Sequence, residues 1–245
     1  MSTVTLVILI FLVALVYASV GHGGASGYLA TMSLLASTPT AMASSALLLN
    51  LLVAGTACLT FWRAGHGSFQ LLWPFIVGSI PGALMGGWLP VSAGTYGWLL
   101  AVALLVAAGR LCLPSIRHGD VLARPRLFIA VFVGVGIGLL SGVVGVGGGI
   151  FLSPLMMLLR WADPKQTAAA SAGFIVVNSA AGLIGRVMAG RVVMGPLVPL
   201  VVAAFVGGVI GSRLGANHFS GVWLRRVLAV VLMIAAGKWV VLSHG

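Results

Sequence analysis

In the stretch SVGHGGASGYLA, residues 19–30, four glycines and a histidine interrupt an apolar run. If a helix starts just after such a break, the amides around Gly23, Gly24, Ala25 and Ser26 have no intrahelical acceptor and carry the positive end of the helix dipole. Together with Gly21 they make a candidate anion site. His22, inside the break, can donate to an anion or take up a coupled proton near neutral pH; the alternative is a buried ring bonded to a neighbouring carbonyl. A second glycine run, GVGGG at 145–149, repeats Gly21, Gly23 and Gly24 as Gly145, Gly147 and Gly148 at an offset of 124 residues, with Gly149 following. Two helix N-termini facing one another there would hold an anion between them. Asn50 and Asn178, with Ser44, Ser45, Ser171 and Ser179 beside them, are either side-chain donors to an oxyanion or bridges between helices. A cation carrier ordinarily keeps acids in its spans, whereas Asp120 and Asp163, the only two acids, fall in predicted loops. No metal-ligand cluster and no cofactor motif is present in the sequence, and Cys58 and Cys112 read as packing residues.

The elements that must position these groups are set by composition. The 245 residues are 60% hydrophobic and 6% charged, which predicts an all-α integral membrane protein rather than a soluble one. The net charge of +11 reflects the scarcity of acids, and most of the basic residues flank spans, so nucleic acid is not an expected partner. The first apolar run lacks a basic n-region and a cleavage site and reads as a retained span. At an offset of 125, Pro39, Ala64, Gly65, Pro74, Gly82 and Gly86 fall on Pro164, Ala189, Gly190, Pro199, Gly207 and Gly211. One membrane transport domain, 1–245, is therefore expected to hold two tandem repeats, about 4–113 and 127–242, joined by the basic linker 114–126.

Each repeat reads as five hydrophobic segments: 4–20, 25–37, 41–62, 70–90 and 96–113, then 127–144, 149–160, 167–187, 195–214 and 223–242. The second is short in both, with the glycine-rich break before it; 13 residues make a helix of roughly 20 Å against a hydrocarbon core of about 30 Å. Five crossings per repeat invert the second copy and place ten Lys and Arg inside against three outside, whereas four crossings give eight against five. Inverted topology is the expectation. Glycines in GVGIG and GALMGG read as small-residue packing faces, and Arg186, near a span end, as a snorkelling anchor rather than a ligand.

With the segments GHGGASGYLATMSLL, GVVGVGGGIFLSPLMMLL and NSAAGLIGRVMAGRV the chain resembles, over nearly its whole length, the sulfite exporter TauE/SafE family of bacterial permeases. The resemblance implies movement of sulfite, sulfonates or related anions across the bacterial cytoplasmic membrane. It also implies a substrate role for Gly145, Gly147, Gly148, Gly149 and Asn178, and for Gly21, Gly23 and Gly24. The first half departs from the pattern in His22 and Ala25, which interrupt its glycines, and in Ala30, which stands where the second half has Pro154.

A secondary transporter with alternating access and no enzymatic activity is the reading that follows, its partners a small anion and the lipid bilayer, with a homodimer left open. A passive anion channel uses the same dipoles. Ser26, in Gly24-Ala25-Ser26-Gly27, matches the G-x-S-G of rhomboid intramembrane proteases but needs a histidine within reach, and His218 lies in a predicted loop. In a non-transporting subunit the glycine breaks would be packing alone.

Overall fold

The computed structural model describes residues 3–33, 39–92, 125–192 and 198–219, with Thr95 and Trp98. The described elements are helical: α1 (Thr3–Ser19), α2 (Ala25–Ser33), α3 (Pro39–Arg63), α4 (Phe69–Trp88), α5 (Leu127–Val144), α6 (Gly149–Leu158), α7 (Pro164–Met188) and α8 (Val198–Arg213), which runs into a π-turn at Leu214–His218. Apart from Trp98, the fifth segments, 96–113 and 223–242, lie outside the described residues, as do most of the linker, Cys112 and Asp120.

Among the described residues, five stretches are long and apolar enough to cross a membrane: Ala41–Arg63, Phe69–Trp88, Leu127–Val144, Pro164–Met188 and Val198–His218. Large apolar side chains stand exposed in rows along the outer faces of the helices, as with Val4, Ile8 and Leu12 on the shorter α1 or Phe128 and Phe132 on α5. A water-soluble fold does not carry so many; hydrocarbon is the solvent that accepts them.

Between helices the packing is close because it runs on glycine. Gly134, Gly138 and Gly142 of α5 lie on the carbonyls of Phe75, Ser79 and Ala83, and Gly78, Gly82 and Gly86 of α4 lie reciprocally on those of Val131, Val135 and Leu139. The rows advance in the same sense, so α4 and α5 are parallel. Gly207, Gly211 and Gly215 step along Phe11, Leu15 and Ser19, making α8 parallel to α1. In lipid no hydrophobic force drives apolar helices together, and backbone contact through small residues supplies the attraction.

Three further contacts orient the rest. Gly208 meets Val53 and Thr60 Oγ1 bonds Ser212 Oγ at 3.2 Å, so α3 runs with α8. Gly173 meets Leu72 while Gly185 meets Leu84, so α7 runs with α4. Gly182 meets Leu47 and the Trp62 indole donates to Ala169 O at 3.3 Å, so α3 and α7 are antiparallel. The helices therefore form two opposed sets, α1, α3 and α8 against α4, α5 and α7.

Helix ends follow local chemistry. The amides of His22 and Gly21 return to the carbonyls of Tyr17 and Ala18, a Schellman closure of α1 with Gly21 at φ +76°. The same closure ends α3 at Gly65 and α7 at Gly190. Asp163 caps α7, its carboxylate accepting from the amides of Lys165 (2.8 Å) and Gln166 (2.9 Å), while Gln166 Oε1 accepts from its backbone.

Candidate functional site

The short helices α2 and α6 start in the middle of the bundle. Gly23 lies against Asn50, halfway along α3, and Gly149 against Ile175, halfway along α7. Asn50 is wholly buried and uses both ends of its amide. Oδ1 accepts from Ala25 N at 3.0 Å, capping α2, and Nδ2 donates to Val146 O at 3.0 Å, in the turn before α6. One side chain thus ties the two inter-helix turns together. A methyl group on Gly23 would overlap Asn50 Oδ1, so this tie requires glycine there.

A cavity of about 10 Å³ opens beside the tie, lined by Tyr17, His22, Gly23, Gly24, Ala25, Ser26, Val146, Ile150 and Ile175. That is room for about one water molecule. Its polar wall comes from the first half: the Tyr17 and Ser26 hydroxyls pair at 2.7 Å, next to the opening turn of α2. Its apolar wall, Val146, Ile150 and Ile175, comes from the second.

His22 reaches from the first turn into the second half. Nδ1 lies 3.0 Å from Val20 O, a group that can only accept, so Nδ1 carries a proton and in the neutral ring Nε2 accepts. Ser153 Oγ of α6 lies 3.2 Å from Nε2 and 2.6 Å from Ser171 Oγ of α7. Ser153 therefore donates to the ring and accepts from Ser171.

Of the other candidate residues, Gly21 sits against Ala168 O and Gly145 against Ala43. Gly147 touches Asn50, Ile175 and Ser179, and Gly148, at φ +80° as the N-cap of α6, touches Phe174 and Ile137. None of these four lines the cavity. Asn178 donates through Nδ2 to Phe174 O at 2.9 Å, four residues back on its own helix. Its Oδ1, like Ser179 Oγ, is buried without a hydrogen-bond partner. Ser44 Oγ donates to Arg191 O at 3.5 Å.

Arg186 differs from the expected snorkelling anchor. It is buried, and Nη2 donates to Gly142 O (3.2 Å) and Val143 O (2.9 Å). Because α5 stops at Gly145, its last carbonyls need donors, and an arginine on the neighbouring helix supplies them. Arg191 does the same for Gly87 and Trp88 at the end of α4. Ser26 is hydrogen-bonded to a tyrosine rather than a histidine, and His218 lies exposed in the π-turn.

Sequence reasoning overlooked Tyr17 and Ser153. Tyr17 sits in the last turn of α1 inside an apolar run, where an aromatic reads as packing. Ser153 has a weak signal, a polar residue before Pro154 in a helix too short to span.

The sequence pattern for the sulfite exporter TauE/SafE family matches residues 6–239 of the chain. A probable membrane transporter protein of Sinorhizobium fredii, y4hK, is 34% identical over 241 residues, covering 97% of this chain and 98% of the relative. The probable membrane transporter protein YunE of Bacillus subtilis is 24% identical, covering 87% of this chain and 89% of its own. No solved structure matches.

Proposed function

The chain belongs to the sulfite exporter TauE/SafE family of membrane transporters, and we propose that it is a secondary carrier of a small sulfur-containing anion, sulfite or an organosulfonate, across the bacterial cytoplasmic membrane. The observation that carries this reading is the cavity at the start of α2, where amides, the Tyr17–Ser26 hydroxyl pair and His22 converge in a bundle whose only described acid is the helix-capping Asp163. Donors without a competing carboxylate favour an oxyanion. The apolar wall of Val146, Ile150 and Ile175 suits an anion bearing a short carbon chain.

The binding residues in this proposal are Gly21, His22, Gly23, Gly24, Ala25, Ser26 and Asn50 from the first half, with Gly145, Gly147, Gly148, Gly149, Ser171 and Asn178 from the second. His22 carries the coupled proton. With space for about one water, the cavity admits an anion of four or more heavy atoms only when the halves separate, which accords with alternating access.

Inverted repeats, 4–113 and 127–242 within one transport domain, supply the two moving parts. The antiparallel course of α1 and α5, set by the packing of the two helix sets, supports five crossings per repeat. Of the seven described Lys and Arg, Arg63, Arg126, Arg160, Lys165 and Arg213 fall at one end of the bundle and Arg186 and Arg191 at the other. The first end is assigned to the cytoplasm.

The test is stabilisation of the purified protein by sulfite, sulfate, thiosulfate, taurine, sulfoacetate, acetate and chloride, because a ligand that binds only the folded state raises its melting temperature. A selective rise with a sulfur anion, lost in Ser26→Ala, supports the proposal. An equal rise with every salt refutes it.

A further inference from the structure

The hydrogen-bond chain through His22 joins a side chain of the cavity wall to the buried hydroxyls of Ser153 on α6 and Ser171 on α7. It has a direction. Val20 O fixes the proton on Nδ1, so with a neutral ring the donors run Ser171 to Ser153 to His22. When Nε2 gains a proton, Ser153 Oγ at 3.2 Å is the side-chain acceptor in line to receive it, with the backbone of Gly149 also against the ring. Ser153 then turns its own proton to Ser171 Oγ, and Ser171 turns to another acceptor, the carbonyl of Thr167 four residues back being open to a helical serine. The ring gains one N–H bond at Nε2 from the added proton, while both serines keep their own O–H bonds and only turn them to new acceptors.

Two observations set this chain apart from packing. All three side chains are at most 2% exposed, so the chain is shielded from bulk water. At the offset of 124 residues that relates the glycine breaks, His22, Ser153 and Ser171 correspond to Val146, Leu29 and Leu47, which carry no side-chain polar atom. A chain needed only to hold two similar halves together would appear in both.

We propose that Ser153 is the positioning residue that transmits the protonation state of His22 to α7, by reversing the donor direction of the His22–Ser153–Ser171 chain. This rests on the proposed proton role of His22 and adds the means by which the second half registers it. Tyr17 of α1 lines the same cavity as the ring. The other titratable groups of the surrounding elements are Tyr28 on α2, Cys58 and Arg63 on α3, and Asp163, Lys165 and Arg186 on α7 with its cap, while α6 has none. None of these hydrogen-bonds to the ring.

The experiment uses the full chain with ¹⁵N-histidine and the other four histidines changed to Gln, so that His22 alone reports. Nitrogen resonances are followed through a pH titration without any anion. Ser171→Ala does not touch the ring, yet it removes the donor behind Ser153, so the Nε2 resonance and the titration curve move, as they do in Ser153→Ala; Ser153→Thr restores both. In proteoliposomes, Ser153→Ala cuts the pH-dependent share of sulfite or sulfoacetate flux about tenfold, the weight of one charge-assisted hydrogen bond. The proposal is overturned if Ser171→Ala leaves Nε2 unmoved while Ser153→Ala shifts it, because Ser153 then only seats the ring. Absence of flux in the unaltered protein would instead overturn the anion reading, with the resonances still deciding the chain.

Discussion

Replacing Asn50 by Ala tests the tie between the two inter-helix turns. The substitution removes two hydrogen bonds, from Ala25 N and to Val146 O, at a site with no exposure. Polar bonds between helices in membranes contribute about 0.6 to 1.7 kcal/mol each, and stranding a buried amide and a buried carbonyl adds to that. The expected loss is ~2–4 kcal/mol. Asn178→Ala is the matched control, because that side chain bonds only a carbonyl of its own helix and leaves Oδ1 without a partner. Its loss should stay under ~1 kcal/mol. Asn50→Asp separates the two ends of the amide: one oxygen still accepts from Ala25 N, while the other meets the Val146 carbonyl without a proton between them. Equilibrium unfolding of the purified protein in mixed micelles reads all three, with the order Asn178→Ala, Asn50→Asp, Asn50→Ala to be compared at one temperature. If Asn50→Ala is no worse than Asn178→Ala, the turns are not held by Asn50 and the argument from geometry is refuted.

Gly138→Leu, which drives a side chain into the Ser79 backbone, should separate α4 from α5 and lower folded yield severalfold, whereas Gly136→Ala, with open space around it, should be neutral or slightly stabilising by gel filtration and melting. Gly148→Ala places a side chain at φ +80° against Phe174 and Ile137, costing about 1–2 kcal/mol from the left-handed backbone alone and measurable in the same unfolding assay. Arg186→Leu removes donors from Gly142 O and Val143 O and should lower the melting temperature more than Arg186→Lys, which keeps one donor. Asp163→Ala should cost about 1 kcal/mol as a lost N-cap, and Asp163→Asn a few tenths.

What sequence made legible was mostly backbone. Gly65 and Gly190, picked out by the 125-residue offset, close α3 and α7 by the same motif, and the glycines of GALMGG and GVGIG include Gly82, Gly86 and Gly138, which form packing faces. Helix termini and glycine rows depend on local chemistry that a repeat displays twice. Side-chain roles depend on which helix faces which. Asn50 and Asn178 look equivalent in sequence, yet Ile175, not Asn178, occupies the place opposite the second turn that Asn50 occupies opposite the first. A three-residue difference on one helix face decides it. Arg186 was misread for a similar reason: its position near a span end is visible, but the unpaired carbonyls of α5 beside it are not. His22, Gly23, Gly24, Ala25 and Ser26 converge on one cavity, whereas its Tyr17 wall needed the fold.

The most direct test of the central claim is flux of radiolabelled sulfite and sulfoacetate into proteoliposomes, measured with and without the same anion inside. The account predicts saturable uptake, faster when the interior is loaded, and reduced at least tenfold by Ser26→Ala in a protein that remains folded. Uptake that rises linearly with concentration, ignores the internal anion and passes chloride equally would contradict it, and would make the cavity at the start of α2 part of a channel or of packing.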